Sequence, residues 1–145
     1  MDPKVLNKRK QARRLGMQAL YQWLITDNEL NDIERQFQEQ DEIKRADPEY
    51  FRELLRKIPE HVDQLSSLLK TNTSRPADEI DPVELAVLYI ALYEFKFRID
   101  IPYKVVINEA VALAKKFGAS EGHKYVNGIL DSAARELRAM ELEAK

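Results

Sequence analysis

VELAVLYIALYEFKF, Val83 to Phe97, is apolar on nearly every face of a helix, with Glu84, Glu94 and Lys96 as its only charges. A helix apolar all round belongs at the centre of a helical core, covered by other helices. It is too short and too closely flanked by charge to cross a bilayer. Asp81-Pro82, just before it, supplies an N-cap and a proline at the first helical position. This segment alone points to an all-α protein built around one buried helix.

The flanking sequence keeps the helical period. Downstream, Tyr103 to Phe117 is amphipathic, with Val106, Ala110, Leu113 and Phe117 inward, and Gly118 suits its C-terminal cap. Ser120 is expected to cap a last helix from Glu121 to about Met140. Upstream, TNTSRPADEI, Thr71 to Ile80, reads as a polar loop broken by proline. Asp47-Pro48 should start a helix that buries Phe51, Leu54, Leu55 and Ile58. Pro59 then kinks or ends it, so one kinked helix and two short ones (the second with Val62, Leu65 and Leu69) are both open. A weaker segment covers about Glu29 to Ile43, with Leu30, Ile33 and Phe37 inward. The first helix is expected from about Lys8 to Thr26, with Ala12, Leu15, Ala19 and Trp23 on one stripe. Only four glycines occur, which speaks against a sandwich or barrel with its many tight turns. The expectation is a single all-α domain over residues 1–145, of about seven helices. Its N-terminal helical half runs to about residue 75 and its C-terminal half from about residue 76.

Composition excludes several classes. With no cysteine there is no disulfide and no thiolate chemistry. No signal-like apolar core with a cleavage site follows the basic start, so a cytoplasmic location is expected. The two histidines, His61 and His123, lie far apart and outside any metal-type spacing. Ser120, His123 and Asp131 would lie along one helix, which cannot place an acid and a serine on opposite nitrogens of one imidazole. Gly118 and Gly122 do not make a phosphate loop. Neither a catalytic centre nor a cofactor is expected.

The formal charge of −2 hides an uneven split. Residues 1–26 carry six Lys/Arg against one acid; the remainder carries seventeen against twenty-four. Lys8, Arg9, Lys10, Arg13 and Arg14 cluster at the expected entrance of the first helix, the pole of the macrodipole that disfavours cations. Spacings of three and four would put several of them on one face. Self-repulsion at an unfavourable pole makes sense if phosphates neutralise it. The bland alternative is a solvated basic arm. A second candidate is GHKYVNG, Gly122 to Gly128, where Lys124 and Tyr125 open the last helix. Aromatic and cation together suit unpaired bases; alternatively Tyr125 is a core aromatic. Tyr21, on the shoulder of the first helix's stripe, and Glu84, the lone charge near the start of the buried helix, fit a protein-binding surface. Glu84 also simply suits the dipole of its own first turn.

Taken together, these stretches resemble the NusB family of bacterial transcription antitermination factors nearly end to end. The resemblance rests on Arg9-Lys10-x-x-Arg13 with Gln18-Ala19-Leu20-Tyr21-x-Trp23, Tyr50-Phe51-Arg52-x-Leu54-Leu55, and Asp81-Pro82-Val83-Glu84 with Ala91-Leu92-Tyr93-Glu94. Its most specific piece is Ile101-Pro102-Tyr103-Lys104-Val105-Val106-Ile107-Asn108-Glu109-Ala110, and His123-Lys124-x-Val126-Asn127-Gly128-x-Leu130-Asp131 completes it. It implies an all-helical fold of two small subdomains and binding of single-stranded boxA RNA in ribosomal RNA operon leaders. It also implies pairing with NusE, a ribosomal small-subunit protein, and joining the elongating RNA polymerase with other Nus factors. On this resemblance RNA contacts map onto Arg9, Lys10 and Arg13, and onto Glu121, Lys124 and Tyr125; the partner surface maps onto Tyr21 and Glu84. The chain departs from the family pattern in having Arg14 where glutamate is common, Tyr125 for phenylalanine, and Glu121 where aspartate is frequent.

One rival, the RNA-binding domain of a ribosomal RNA methyltransferase, is disfavoured because no methyl-donor-binding domain follows. The alternative of another class is a helical protein-interaction scaffold without specific RNA binding. A monomer and a homodimer are both compatible with the sequence.

Overall fold

Asp2 accepts a hydrogen bond from the Lys4 amide (2.9 Å), and Pro3 takes the first helical position. The first helix, α1, therefore runs Pro3–Ile25, a full turn and more upstream of the expected start near Lys8. The computed structural model describes residues 2–143, and among these it shows eight α-helices and no strand. They fall into two compact units, Met1–Glu60 and His61–Lys145. The division comes after Glu60, ahead of the expected one near residue 75, because the helix α4 (Val62–Lys70) packs on the central helix of the second unit.

In the first unit α1 packs on α2 (Leu30–Gln38) and α3 (Pro48–Glu60). Ala12, Leu15, Ala19 and Leu20 are buried, as are Ile33 and Phe37 of α2 and Phe51, Leu54, Leu55 and Ile58 of α3. Trp23 is only half-buried. Glycine at position 16 lets α1 approach α3 closely, since a Cβ there would sit 3.1 Å from Leu54 Cδ1. Asp47 accepts from the amides of Glu49 and Tyr50 and so caps α3. The segment expected as Glu29–Ile43 is shorter as a helix, and a 3₁₀ stretch, Asp41–Arg45, follows it. Buried Glu34 is compensated by Arg56 at 2.8 Å, with Arg52 at 3.6 Å.

Pro59 resolves as a helix end. α3 stops at Glu60, His61 leaves helical geometry (φ −110°, ψ 19°), and α4 (Val62–Lys70) begins anew.

In the second unit α5 (Pro82–Phe97) is the buried helix the sequence predicts, with Glu84 through Phe95 all buried. Asp81 caps it through the Val83 amide (3.0 Å). Around it pack α4, α6 (Tyr103–Phe117) and α7 (Gly122–Leu137). Ser120 does not cap α7: the N-cap position is Glu121, in the left-handed region (φ 68°). Nor does α7 reach Met140. It ends at Leu137, and α8 (Ala139–Glu143) follows. The break serves Arg138, which is 5% exposed. Its guanidinium donates to the carbonyls of Glu94, Phe95, Arg98 and Ile101 at 2.9–3.1 Å, and to the Glu141 carboxylate. Phe95 belongs to the last turn of α5, where carbonyls lose their intrahelical partners, and Ile101 lies in the loop beyond it, so Arg138 ties the end of α5 to the turn that follows.

Candidate nucleic-acid interface

The cations of α1 sit differently from the sequence expectation. Because the helix begins at Pro3, Lys8, Arg9 and Lys10 lie in its second turn and Arg13 and Arg14 in its third. The macrodipole penalty fades within the first turn, so it does not set their placement. They do not form one outward face either. Lys8 and Lys10 are exposed and Arg9 and Arg14 half-buried, while Arg13 is 4% exposed. The Arg9 and Arg13 guanidiniums lie 5.4 Å and 5.7 Å from the centre of the Tyr50 ring. Arg14 Nε donates to Gln11 (3.0 Å), and Arg9 Nε is buried without a hydrogen-bond partner. Tyr50 thus organises the basic helix, held by the Asp47 cap of α3 and by the Asp47 amide bonding the Lys8 carbonyl (3.0 Å). An aromatic at a helix start after a capping aspartate was visible in the sequence; the arginines it receives were not. Tyr21, on the same helix, is half-buried.

In the second unit the entrance of α7 is built around Glu84. This residue is 3% exposed, and its carboxylate accepts the Ala119 amide at 3.0 Å. Gly118 and Gly122 pass directly over it. A Cβ at Gly118 would meet the Ala114 carbonyl at 2.8 Å and Glu84 Oε2 at 3.1 Å, and a Cβ at Gly122 would run into the carboxylate itself. Burial pushes the Glu84 carboxyl above its ordinary range; the Ala119 amide opposes this, the charge of Asp81 adds to it, and the charge of Arg75 opposes it. Glu84 is therefore an internal post that shapes the α6–α7 turn.

Above that post stand the recognition candidates. Glu121, in its left-handed conformation, pairs with Lys124 one turn on, both exposed. Tyr125 is half-buried, and its hydroxyl shares a 2.6 Å hydrogen bond with Thr73 Oγ1. The Arg75 guanidinium lies 4.2 Å from the centre of the Tyr125 ring. The polar loop after α4 is thus fastened to α7, where Ser132 donates to Asn72 (2.6 Å) and Thr73 meets Tyr125, and it is braced internally by the Arg75 amide donating to Thr73 Oγ1 (3.2 Å). In the sequence this stretch reads only as a polar loop broken by proline. Its one cation, two residues after a threonine, was the available signal.

No group of three or more His, Asp or Glu side chains able to hold a metal exists among the described residues, and no helix is long and apolar enough to cross a membrane.

Comparison with known proteins gives a consistent result. The model of the NusB family matches residues 10–135. A transcription antitermination protein NusB of Pseudomonas entomophila is 47% identical over 137 residues, covering 94% of this chain and 82% of its own. One from Shewanella pealeana is 50% identical over 125 residues, covering 86% and 93%. Among solved structures, T. maritima NusB superposes with a TM-score of 0.77 at 28% identity, covering 93% of this chain and 96% of that one. A chain in the crystal structure of a plectonemic RNA supercoil has the same fold (TM-score 0.80, 24% identity, 88% and 94% covered).

Proposed function

Since the chain belongs to the NusB family of non-catalytic transcription antitermination factors, we propose that it acts by binding single-stranded boxA RNA of ribosomal RNA operon leaders together with NusE, and then joins the elongating RNA polymerase with other Nus factors. The observation that carries this reading is the entrance of α7. There Lys124 is exposed beside Tyr125, a ring held by a hydrogen bond and accompanied by a second cation. A fixed aromatic with flanking positive charge is what an unpaired base and its phosphate require. Lys8 and Lys10 add exposed charge for phosphates from α1, and Arg9 contributes its half-buried head. Arg13 and Glu84 act differently from the rest of the site: Arg13 braces Tyr50, and Glu84 holds the α6–α7 turn in the shape its neighbours need. Tyr21 supplies part of the NusE surface, and NusE adds its own RNA contacts by tethering.

Fluorescence anisotropy with boxA RNA and a scrambled RNA, across salt concentrations and with or without NusE, tests this. Preference for boxA, tightened by NusE, is expected. Changing Lys8 and Lys10 to alanine should weaken binding to both RNAs and flatten the salt dependence by about 0.7 for each phosphate left without its cation. Equal weak binding to both RNAs, indifferent to NusE, would replace this reading with that of a protein-interaction scaffold.

A further inference from the structure

Arg75 is the feature of the second unit that the family reading leaves without a task. It is exposed, it lies in a loop rather than a helix, and none of its guanidinium N–H groups makes a hydrogen bond within the described residues. A solvated arginine in a polar loop would ordinarily sample many rotamers. Here two hydrogen bonds hold the loop against α7, Ser132 to Asn72 and Thr73 to Tyr125, and a third within the loop joins the Arg75 amide to Thr73 Oγ1. Thr73 takes part in the last two, so one hydroxyl fixes both the tip of the Tyr125 ring and the backbone that launches Arg75. The result is a guanidinium 4.2 Å above the ring centre, well inside the range of a cation–π contact.

We propose that Arg75 and Tyr125 form a two-layer stand for a single RNA base, which stacks on the outer face of the Arg75 guanidinium while Tyr125 backs it. This rests on the RNA-binding reading above and extends it to a residue and a mode of contact. Guanidinium is planar and weakly hydrated, so it can stack on a ring on one side and on a base on the other while its edge donates to a phosphate. Lysine carries the same charge and cannot stack in this way. Thr73 is the positioning residue of the stand.

The test uses the full chain, boxA RNA, and a set of boxA strands in which each nucleotide in turn is made abasic. Arg75→Lys is expected to bind boxA roughly tenfold more weakly, the size of one base-stacking interaction, with an unchanged salt slope. Arg75→Ala should weaken binding at least as much and flatten the slope by about 0.7. At one abasic position wild type and Arg75→Lys should bind equally, because the base that distinguishes them is gone. Thr73→Val should weaken binding in the same nucleotide-specific manner with an unchanged circular dichroism spectrum. Wild-type affinity for Arg75→Lys at every nucleotide overturns the stand while leaving boxA binding intact. Tighter binding by Arg75→Ala overturns it too, and makes Arg75 a cover over Tyr125. A wild-type chain that does not prefer boxA removes the RNA reading itself, and the stand with it.

Discussion

Glu84 shows how much a single position can carry. It places a carboxylate in the first turn of the most apolar helix, where the dipole welcomes it, yet burial raises its pKa above the ordinary value of 4.5. An acid whose folded pKa is raised binds its proton more tightly in the folded state. Stability therefore rises as pH falls through the folded pKa, and the gain is complete only below about 4.5, where the unfolded group titrates. Glu84→Gln keeps an acceptor for the Ala119 amide and removes the ionisation. Urea denaturation at several pH values between 7 and about 4.5 should show a smaller rise on acidification for Glu84→Gln than for wild type. Equal rises in both would place the titration elsewhere. The sequence showed Glu84 to be exceptional but not why. The two glycines it supports lie more than thirty positions away, and no periodicity links an acid to a distant amide.

At the scale of elements, what the sequence spelled out was whatever depends on neighbours along the chain. The Asp47-Pro48 and Asp81-Pro82 starts and the all-apolar α5 are local patterns that stand as read, and the α1 stripe does so for Ala12, Leu15 and Ala19 but not for half-buried Trp23. The differences lie at helix starts, where a second local cap or a distant group decides the boundary. α1 starts at Pro3 because Asp2 caps it through the Lys4 amide and Pro3 suits the first helical position, so Asn7 and Lys8 fall inside the helix. α7 starts after a strained Glu121, not on Ser120, because the turn must clear the Glu84 carboxylate. The Tyr125 site was half legible: Lys124 and Tyr125 announced themselves, whereas Thr73 and Arg75 reach them across fifty residues of chain. Within α7 two glycines have opposite meanings. Gly128 lies mid-helix with open space where a Cβ would go, so Gly128→Ala should raise stability by about 0.5–1 kcal/mol. At the other end of the helix, Gly122→Ala drives a methyl into Glu84 and should cost about 1–3 kcal/mol. Thermal denaturation of the two variants should move the melting temperature in opposite directions.

Considered as a whole molecule, the chain consists of two units, each with its own core and each with a buried charged residue that gathers several partners. In the first, Glu34 gathers Arg52 and Arg56. In the second, Arg138 gathers four carbonyls and a carboxylate. Replacing Arg138 by methionine keeps the bulk but leaves buried carbonyls without donors. We expect a loss of about 3–5 kcal/mol, the usual cost of removing one partner from a buried charged network, read as a lower urea midpoint by circular dichroism. A variant as stable as wild type would mean that water replaces the guanidinium at the end of α5.

The Arg138 clamp also sets a clock. Phe95, whose carbonyl accepts from it, is made 43 residues before it. At ordinary translation rates of about 5–20 residues per second the gap is roughly two to nine seconds. During that interval the nascent protein holds its most apolar segment with an open end. The first sixty residues, by contrast, form a compact unit with a core of their own. The second unit is therefore the one exposed to misassociation on the ribosome, and the stretch where slowed synthesis would do most harm lies between α5 and the arginine that closes it.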